Sequence, residues 1–297
     1  MFPAQYAVAP PLVTPFTADG EVAVAALETL VERCLDAGLD GVVPCGTTGE
    51  FASLSDSERA IVVETAADAA GDATVVAGVA DTSVAGVTRR LERAEEAGAD
   101  AGLVPPPYFH GPNDPAGVEA FLRSVADDSP LALYLYDIPS CTGTALDAET
   151  VLSLADHDAV AGLKDSSGDF SGLLELLRRT PAEFDVVQGV DDQFVPAVER
   201  GADGAINALS QAIPEVYVAV RDAVAAGDEE TAHRLQASAI APLFAHCYDH
   251  GFAPVTKAAV AARGWLPGDD VRPPLVGLDE DARAAVAEAV DAALETV

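Results

Sequence analysis

Apolar runs and amphipathic segments alternate along most of the chain. Short runs rich in Val, Ile and Leu, typical of strands buried on both faces, lie near residues 7–14, 41–45, 74–79, 101–105, 131–136, 159–164, 185–188 and 203–206. Segments with helical periodicity separate them, for example Val24 to Ala37 and Val84 to Ala97. The alternation predicts parallel βα units, and eight strands over about 220 residues are the number found in a (β/α)8 TIM barrel.

One phrase recurs where a helix gives way to a strand. It reads AGLDGVV at 37–43, AGADAGLV at 97–104 and RGADGAI at 200–206. A glycine that ends a helix just before an apolar strand accounts for this phrase. The alternative architecture, an open doubly wound sheet, normally shows a glycine-rich dinucleotide turn after its first strand, and the sequence has none there.

The chain changes character near residue 225. Beyond it the sequence is rich in alanine and helical in period, over Asp228 to His250, Pro254 to Arg263 and Asp279 to Glu295. We therefore predict a barrel carrying the active site over 1–225 and a C-terminal helical extension over 226–297. No low-complexity linker separates the two parts, so the extension should pack on the barrel or on another subunit.

Composition restricts the classes of partner. The 297 residues include 16 Lys plus Arg and 49 Asp plus Glu, for a formal net charge of −33, and 49% of them are hydrophobic. Such a chain folds and has an acidic surface, which opposes binding to nucleic acids and to anionic membranes. Only Lys164 and Lys257 are lysines. An acidic surface with so little lysine suits a cytosol with molar salt and predicts a halophilic source.

Other features indicate the compartment. The N-terminal stretch MFPAQYAVAPPLVTPF lacks the charged and apolar regions of a signal peptide, and no run approaches ~20 apolar residues. The four cysteines, Cys34, Cys45, Cys141 and Cys247, form no CxxC pair. We predict a soluble, reduced, cytoplasmic protein.

Lys164 is the most informative residue. It ends the sixth apolar strand, at the face where barrel enzymes place their active sites, and a lysine there is costly to bury. One interpretation is an ion pair with Asp165 or a side chain that reaches water. However, Asp165 is the next residue in the strand and points to the opposite face. The functional interpretation is a Schiff-base nucleophile, because a desolvated amine can attack a carbonyl.

Two further features lie at the same face. Tyr136 ends the fifth strand, and because neighbouring strands are ~4.8 Å apart, its phenol and the Lys164 amine could reach one bound ketone. Core packing is the alternative role for this tyrosine. After the second strand, GTTGE at 46–50 offers backbone N–H groups and two hydroxyls to a carboxylate, and it lacks the ending of a nucleotide-binding P-loop.

A histidine pair is the one candidate for a metal site. His246 and His250 in HCYDH have helical i, i+4 spacing. This segment lies in the C-terminal helices, away from the predicted barrel mouth, and lacks the glutamate of an HExxH motif. We predict no metal site.

Several motifs occur together in the right order over nearly the whole chain. They are TPF at 14–16, GTTGE at 46–50, PYF at 107–109, YDIPSCTG at 136–143, GLKDSSGD at 162–169 and QGVDD at 188–192. Their combination resembles the dihydrodipicolinate synthase / N-acetylneuraminate lyase family of class I aldolases. The resemblance implies a barrel with a C-terminal helical domain, pyruvate chemistry without metal or organic cofactor, and a homotetramer built as a dimer of dimers.

The resemblance also implies roles for individual residues. Lys164 would form the Schiff base with the 2-keto carbon, Tyr136 would be the acid/base group, and Thr47 and Thr48 would hold the pyruvate carboxylate. The positions that correspond to the substrate pocket of relatives are Ser166, Gly189, Asp191 and Ile206.

Two departures from the synthase pattern narrow the function. The synthase run is close to YNVPSRTG, and its arginine binds the carboxylate of aspartate semialdehyde, whereas Cys141 stands here and cannot make that bidentate contact. The second tyrosine of the usual PYY motif is Phe109. The chain therefore most resembles the aldolases that cleave 2-keto-3-deoxygluconate or its 6-phosphate to pyruvate and glyceraldehyde or its 3-phosphate.

Other functions stay open. Within the family they are dihydrodipicolinate synthase, sialic-acid lyase and a dehydratase of keto-deoxy sugar acids. Outside catalysis, the alternative is a keto-acid sensor that keeps the pocket and turns nothing over. The partner expected in each case is a small 2-keto acid.

Overall fold

Eight parallel strands form one sheet that closes on itself. The computed structural model describes residues 6–110 and 114–297, so the first five residues of the N-terminal stretch lie outside it. The strands are β1 (Ala7–Val8), β2 (Gly41–Val42), β3 (Thr74–Gly78), β4 (Ala101–Val104), β5 (Ala132–Asp137), β6 (Val160–Asp165), β7 (Asp185–Gln188) and β8 (Gly204–Ala205). All eight predicted strands are confirmed, although β1, β2 and β8 are shorter than their apolar runs.

The strand order shows that the sheet is a barrel. Neighbours run from β1 through β8, β7, β6, β5, β4 and β3 to β2. Backbone hydrogen bonds then join the two ends, because the Asp40 amide donates to the Val8 carbonyl (3.0 Å) and the Val43 amide to the Pro10 carbonyl (2.8 Å). The predicted (β/α)8 barrel is confirmed, and the open doubly wound sheet is wrong.

Helices cover the outside of the barrel. They are α1 (Val24–Asp36), α2 (Asp56–Ala70), α3 (Val84–Glu96), α4 (Pro115–Asp127), the short α5 (Pro139–Thr142), α6 (Ala148–Ala155), α7 (Phe170–Arg179), α8 (Phe194–Val198) and α9 (Pro214–Ala226). The C-terminal helices are α10 (Glu229–Leu235), α11 (Ala241–His250), α12 (Phe252–Ala262) and α13 (Glu280–Leu294), with a π-helical turn over Gln236–Ile240 between α10 and α11. In the described chain, none of the helices is both long and apolar enough to cross a bilayer.

The recurring sequence phrase forms the same local structure three times, at the N-terminal ends of the barrel strands. Its glycines, Gly38, Gly98 and Gly201, all have positive φ, as a helix-ending glycine requires. Two residues later, an aspartate accepts a hydrogen bond from the backbone of the preceding strand. The pairs are Asp40 with Val8 (2.9 Å), Asp100 with Val75 (2.8 Å) and Asp203 with Val186 (2.7 Å). The phrase therefore fixes the start of three strands against their neighbours.

Apolar side chains fill two separate spaces. One cluster lies inside the barrel and includes Val43, Val76, Leu103 and Ile206, with Tyr136 at its upper end. The larger cluster lies between the strands and the surrounding helices and continues into the C-terminal helices. The alternation of strand side chains between these spaces follows from their period of two, and it directs Tyr136 and Lys164 to the inside.

The second lysine of the chain joins the C-terminal helices to the barrel. Lys257 of α12 is fully buried, forms an ion pair with the buried Glu50 of the GTTGE turn, and donates to the Asp270 carbonyl (2.7 Å). The other Glu50 oxygen accepts the Arg272 amide (2.9 Å). Burial lowers the pKa of Lys257, while Glu50 opposes this change. Because both charges of this pair are removed from water, the contact restrains the GTTGE turn relative to α12.

Removal of either charge should destabilise the fold. We expect Lys257→Met and Glu50→Gln each to lower the free energy of unfolding by about 3–5 kcal/mol, because each leaves the other group buried without its counter-charge. The double variant should lose clearly less than the sum of the two. Denaturant unfolding measures all three.

A surface ion pair provides the control. Arg283 contacts Asp269 (2.6 Å) with about half of its side chain exposed, so Arg283→Gln should cost no more than about 1 kcal/mol. Strictly additive losses in the Lys257 and Glu50 variants would show that the two side chains do not act as a pair.

Candidate active site

Tyr136 and Lys164 meet at the top of the barrel. They are register partners in the β5–β6 pairing, as predicted from their positions at the strand ends. The Lys164 amine lies over the Tyr136 ring, 4.4 Å from its centroid. Lys164 is 4% exposed and Tyr136 is 5% exposed. Both side chains therefore face one sheltered space.

In the part of the chain that the structure describes, no carboxylate neutralises Lys164. Among the described residues, none forms an ion pair with its amine, and Asp165 instead accepts the Ser167 amide (2.8 Å). The alternative of an ion pair between these two neighbours in sequence is therefore wrong. A buried amine without a counter-charge is costly, and its retention points to chemistry.

The GTTGE turn sits beside this pair in a constrained conformation. Cys45 and Glu50, on either side of its centre, both have positive φ (58° and 56°). A Cβ at Gly49 would lie 2.7 Å from the Leu12 carbonyl, so only glycine fits there. The turn brings the Thr47 hydroxyl within 3.4 Å of the Tyr136 hydroxyl. Within the described chain, the backbone N–H groups of Thr47 and Thr48 donate to no carbonyl and stay available to a ligand.

A cavity of about 360 Å³ connects these groups. It is rich in hydroxyls, and Lys164 is its only charged side chain among the described residues. The predicted site residues that line it are Thr47, Thr48, Tyr136, Lys164, Ser166, Gly189 and Ile206. A Cβ at Gly189 would lie 2.0 Å from the Ser166 hydroxyl oxygen and 2.9 Å from Cε of Lys164, so the glycine makes room for both side chains.

Asp191 lies elsewhere. Its side chain is fully buried, is absent from the cavity wall, and accepts hydrogen bonds from the Tyr217 hydroxyl (2.5 Å) and from the amides of Leu209 (2.9 Å) and Ala208 (3.2 Å). The structure thus brings together seven of the eight predicted site residues. The position of Asp191 favours a role in holding the loop after β8 beneath the cavity.

The C-terminal helices supply one wall of the cavity. Phe244 and Tyr248 of α11 and Phe252 of α12 line it, and their rings contact one another at centroid distances of 4.9 to 6.4 Å. The expectation that HCYDH lies away from the barrel mouth is wrong, because Tyr248 of this segment lines the same cavity as Lys164 and Tyr136. Burial, and then Asp192 and Asp191, raise the pKa of Tyr248.

A second cavity of about 290 Å³ adjoins the first. The two share Thr47, Tyr136, Ile138 and Cys141 as a common wall. Cys141 is exposed and stands between them, whereas Tyr108 lines only the second. Phe109 is 95% exposed. In the described residues of both linings, no arginine is present.

The residues described here contain no group of three or more His, Cys, Asp or Glu side chains that could hold a metal ion. His246 and His250 stack on the surface of α11 with ring centroids 6.4 Å apart. The reactive groups that line the cavity include an amine, a phenol and a set of hydroxyls.

Comparison with known proteins agrees with this geometry. The Dihydrodipicolinate synthetase family model matches residues 5–293. A 4-hydroxy-tetrahydrodipicolinate synthase from Exiguobacterium sp. is 36% identical over 289 residues, which is 96% of each chain. An uncharacterized DapA-like lyase from Halobacterium salinarum is 36% identical over 95% of this chain and 91% of its own.

Solved structures show the same fold. YagE, a prophage protein of the dihydrodipicolinic acid synthase family from E. coli K12 in complex with pyruvate, superposes with a TM-score of 0.91 at 28% identity. The match covers 97% of this chain and 98% of YagE. The chain belongs to the dihydrodipicolinate synthetase family. It is a carbon–carbon lyase of that family, and the expected family and enzyme class are confirmed.

The buried Asp137 should make stability depend on pH. Burial raises the pKa of its carboxyl to about 7, and Asp165 adds to the effect. A carboxyl whose pKa is higher in the folded state holds its proton more tightly there, so stability should fall as the pH rises from about 4 to about 7. Asp137→Asn removes this loss. We expect it to stabilise the fold by on the order of 1–3 kcal/mol at pH 8 and by less at pH 5.

Denaturant unfolding at the two pH values measures this difference. Asp19→Asn, a change at an exposed carboxyl, is the control and should show no such dependence. A gain from Asp137→Asn that is the same at pH 5 and pH 8 would contradict the assignment.

Proposed function

We propose that the chain is a Schiff-base aldolase that cleaves 2-keto-3-deoxygluconate, and more slowly its 6-phosphate, to pyruvate and glyceraldehyde or its 3-phosphate. The observation that carries the proposal is the buried Lys164 amine, which has no counter-charge among the described residues and lies 4.4 Å from the centroid of the Tyr136 ring in a hydroxyl-lined cavity. The pyruvate complex of YagE supports a 2-keto acid as the ligand of such a site.

The first half of the reaction forms the iminium. The substrate carboxylate binds at the GTTGE turn, where the amides of Thr47 and Thr48 and their hydroxyls act as donors. The Lys164 amine attacks the 2-keto carbon, Tyr136 donates its proton to the hydroxyl that leaves as water, and the products are the iminium and a Tyr136 phenolate.

The second half breaks the carbon–carbon bond. Tyr136 takes the proton of the carbon-4 hydroxyl as the bond between carbons 3 and 4 breaks, and the iminium accepts the electron pair as an enamine. The aldehyde leaves, the enamine gains a proton at carbon 3, and hydrolysis releases pyruvate and the free lysine. The Thr47 hydroxyl, 3.4 Å from that of Tyr136, orients the phenol.

The lining favours an unphosphorylated substrate. Beyond the lysine, the cavity offers the hydroxyls of Ser140, Ser166, Ser167 and Tyr248, which suit the hydroxyls of a sugar acid. A phosphate would need cationic donors. Arg263 and Arg272, the candidates in the C-terminal region, are already paired with Glu215 and Glu58.

A second candidate function is 4-hydroxy-tetrahydrodipicolinate synthase. The names of the relatives from Exiguobacterium and from Natronomonas pharaonis, 36% and 38% identical, favour it. Cys141 opposes it, because the position from which the arginine would bind aspartate semialdehyde carries no charge. The homotetramer, the division at residue 225, the halophilic source and the cytoplasmic location stay predictions.

Loss of the amine should abolish the covalent step. We expect Lys164→Arg, which keeps the positive charge, to lower pyruvate release on the order of 10³-fold or more. Borohydride with pyruvate should label the parent chain and not the variant. The chain has only two lysines, so peptide mass mapping assigns the adduct to Lys164 or Lys257 without ambiguity. An adduct that persists in Lys164→Arg would contradict the proposed mechanism.

Substrate comparison should separate the candidate functions. We expect kcat/KM for 2-keto-3-deoxygluconate to exceed that for its 6-phosphate, and condensation of pyruvate with aspartate semialdehyde to be slow. Cys141→Arg should raise the rate with the semialdehyde, because the arginine would supply a cationic partner for the carboxylate of this substrate. Rapid condensation by the parent chain would instead establish the synthase. Pyruvate trapping without turnover of any of these compounds would favour the sensor.

A further inference from the structure

A small cavity outside the barrel contains an excess of positive charge. It lies between α2 and α3 against β3, and its volume is about 30 Å³. Arg59 and Asp56 of α2, Arg90 and Arg93 of α3, and small apolar side chains line it. One water molecule needs roughly 10–15 Å³ in this measure. The space therefore admits a monatomic ion or one or two waters, and it is too small for a sugar acid.

Arg59 has no carboxylate partner within the described part of the chain. It is nine-tenths buried, donates to the carbonyl oxygens of Leu54 (3.4 Å) and Phe51, and lies over the Phe51 ring. Its Nη1 atom is buried and has no hydrogen-bond partner. An unpaired guanidinium in this position is costly unless another group satisfies it.

Arg90 adds two more unsatisfied donors. Its Nη2 contacts Asp81 (2.9 Å), but Nε and Nη1 are buried without partners. Six buried side-chain polar atoms among the described residues have no hydrogen-bond partner; three of them belong to these two arginines, and another is the Glu50 oxygen that forms the ion pair with Lys257. Native proteins leave few such atoms unpaired, and their concentration at one small cavity marks a missing ligand.

The charges around the cavity do not cancel. Arg59, Arg90 and Arg93 contribute three positive charges, while Asp56 lies 3.8 Å from each of Arg90 and Arg93 and Asp81 pairs with Arg90. Three positive charges and two negative charges leave one positive charge. Burial, and then repulsion from Arg90, lower the pKa of Arg59. One monovalent anion would balance the group.

We propose that the cavity binds a single monatomic anion, of which chloride is the probe. The anion accepts the free N–H groups of Arg59 and Arg90 and neutralises the excess charge. Its role follows from the position of Arg59, whose donors hold Phe51 and Leu54, the residues just after the GTTGE turn. The ion thus fixes α2 and the turn that precedes it. This site is separate from the Lys164 cavity, so it does not depend on the proposed reaction.

A chloride titration tests the proposal in solution. Potassium concentration and ionic strength are held constant while glutamate, which is too large for the cavity, is exchanged for chloride. The Tm of the parent chain should rise by roughly 2–5 °C for each tenfold increase in chloride above its dissociation constant. Arg59→Gln should lose this dependence. Arg179→Gln, which removes an exposed arginine paired with Glu149 and Glu175, should keep it.

Crystals grown with bromide test the location without any variant. An anomalous peak between Arg59 and Arg90 is expected. A map with water alone in the cavity would overturn the proposal. A chloride dependence of the Tm that is equal in the parent chain and in Arg59→Gln would also overturn the proposal, because it would reflect a general salt effect.

Discussion

The buried ion pair between Glu50 and Lys257 is the constraint on which the active site depends. Glu50 ends the GTTGE turn in a left-handed conformation, and Lys257 reaches it from α12, more than 200 residues later. Because both side chains are buried from solvent, the pair holds the turn in one place relative to the C-terminal helices. The same helices supply the aromatic wall of Phe244, Tyr248 and Phe252. The GTTGE turn and the far wall of the cavity are thus parts of one connected unit.

Local patterns predicted most of the fold because local physics determines it. Each βα unit carries its own apolar strand, and the helices before β2, β4 and β8 end at a glycine with positive φ, so all eight strands could be located from the sequence. The pairing of Tyr136 with Lys164 followed from the alignment of two strand ends. The helix after the GTTGE turn begins with the Ser55–Glu58 capping box, which is also a short-range signal.

What the sequence did not show depends on long-range packing. Tyr248 reaches the cavity because α11 and α12 fold back over the barrel, and no periodicity contains that information. The hydrogen bonds of Asp191 to Ala208 and Leu209 come from a loop that packs against it. Lys257 had one available signal, which is the near absence of lysine. Because nearly every other cationic residue of the chain is arginine, a lysine at this position indicates a specific structural or chemical role.

Both lysine side chains are withdrawn from the surface, and this determines how the protein meets reactive carbonyl compounds. Aldehydes and keto acids in solution condense with any neutral amine that is accessible to them. On this chain Lys257 is fully buried, and Lys164 is 4% exposed and lines the cavity beside Tyr136. Of the two lysine amines, that of Lys164 is therefore the one next to a cavity that a carbonyl compound could enter. Burial of both amines thus limits the access of carbonyl compounds in solution to the lysines of this chain.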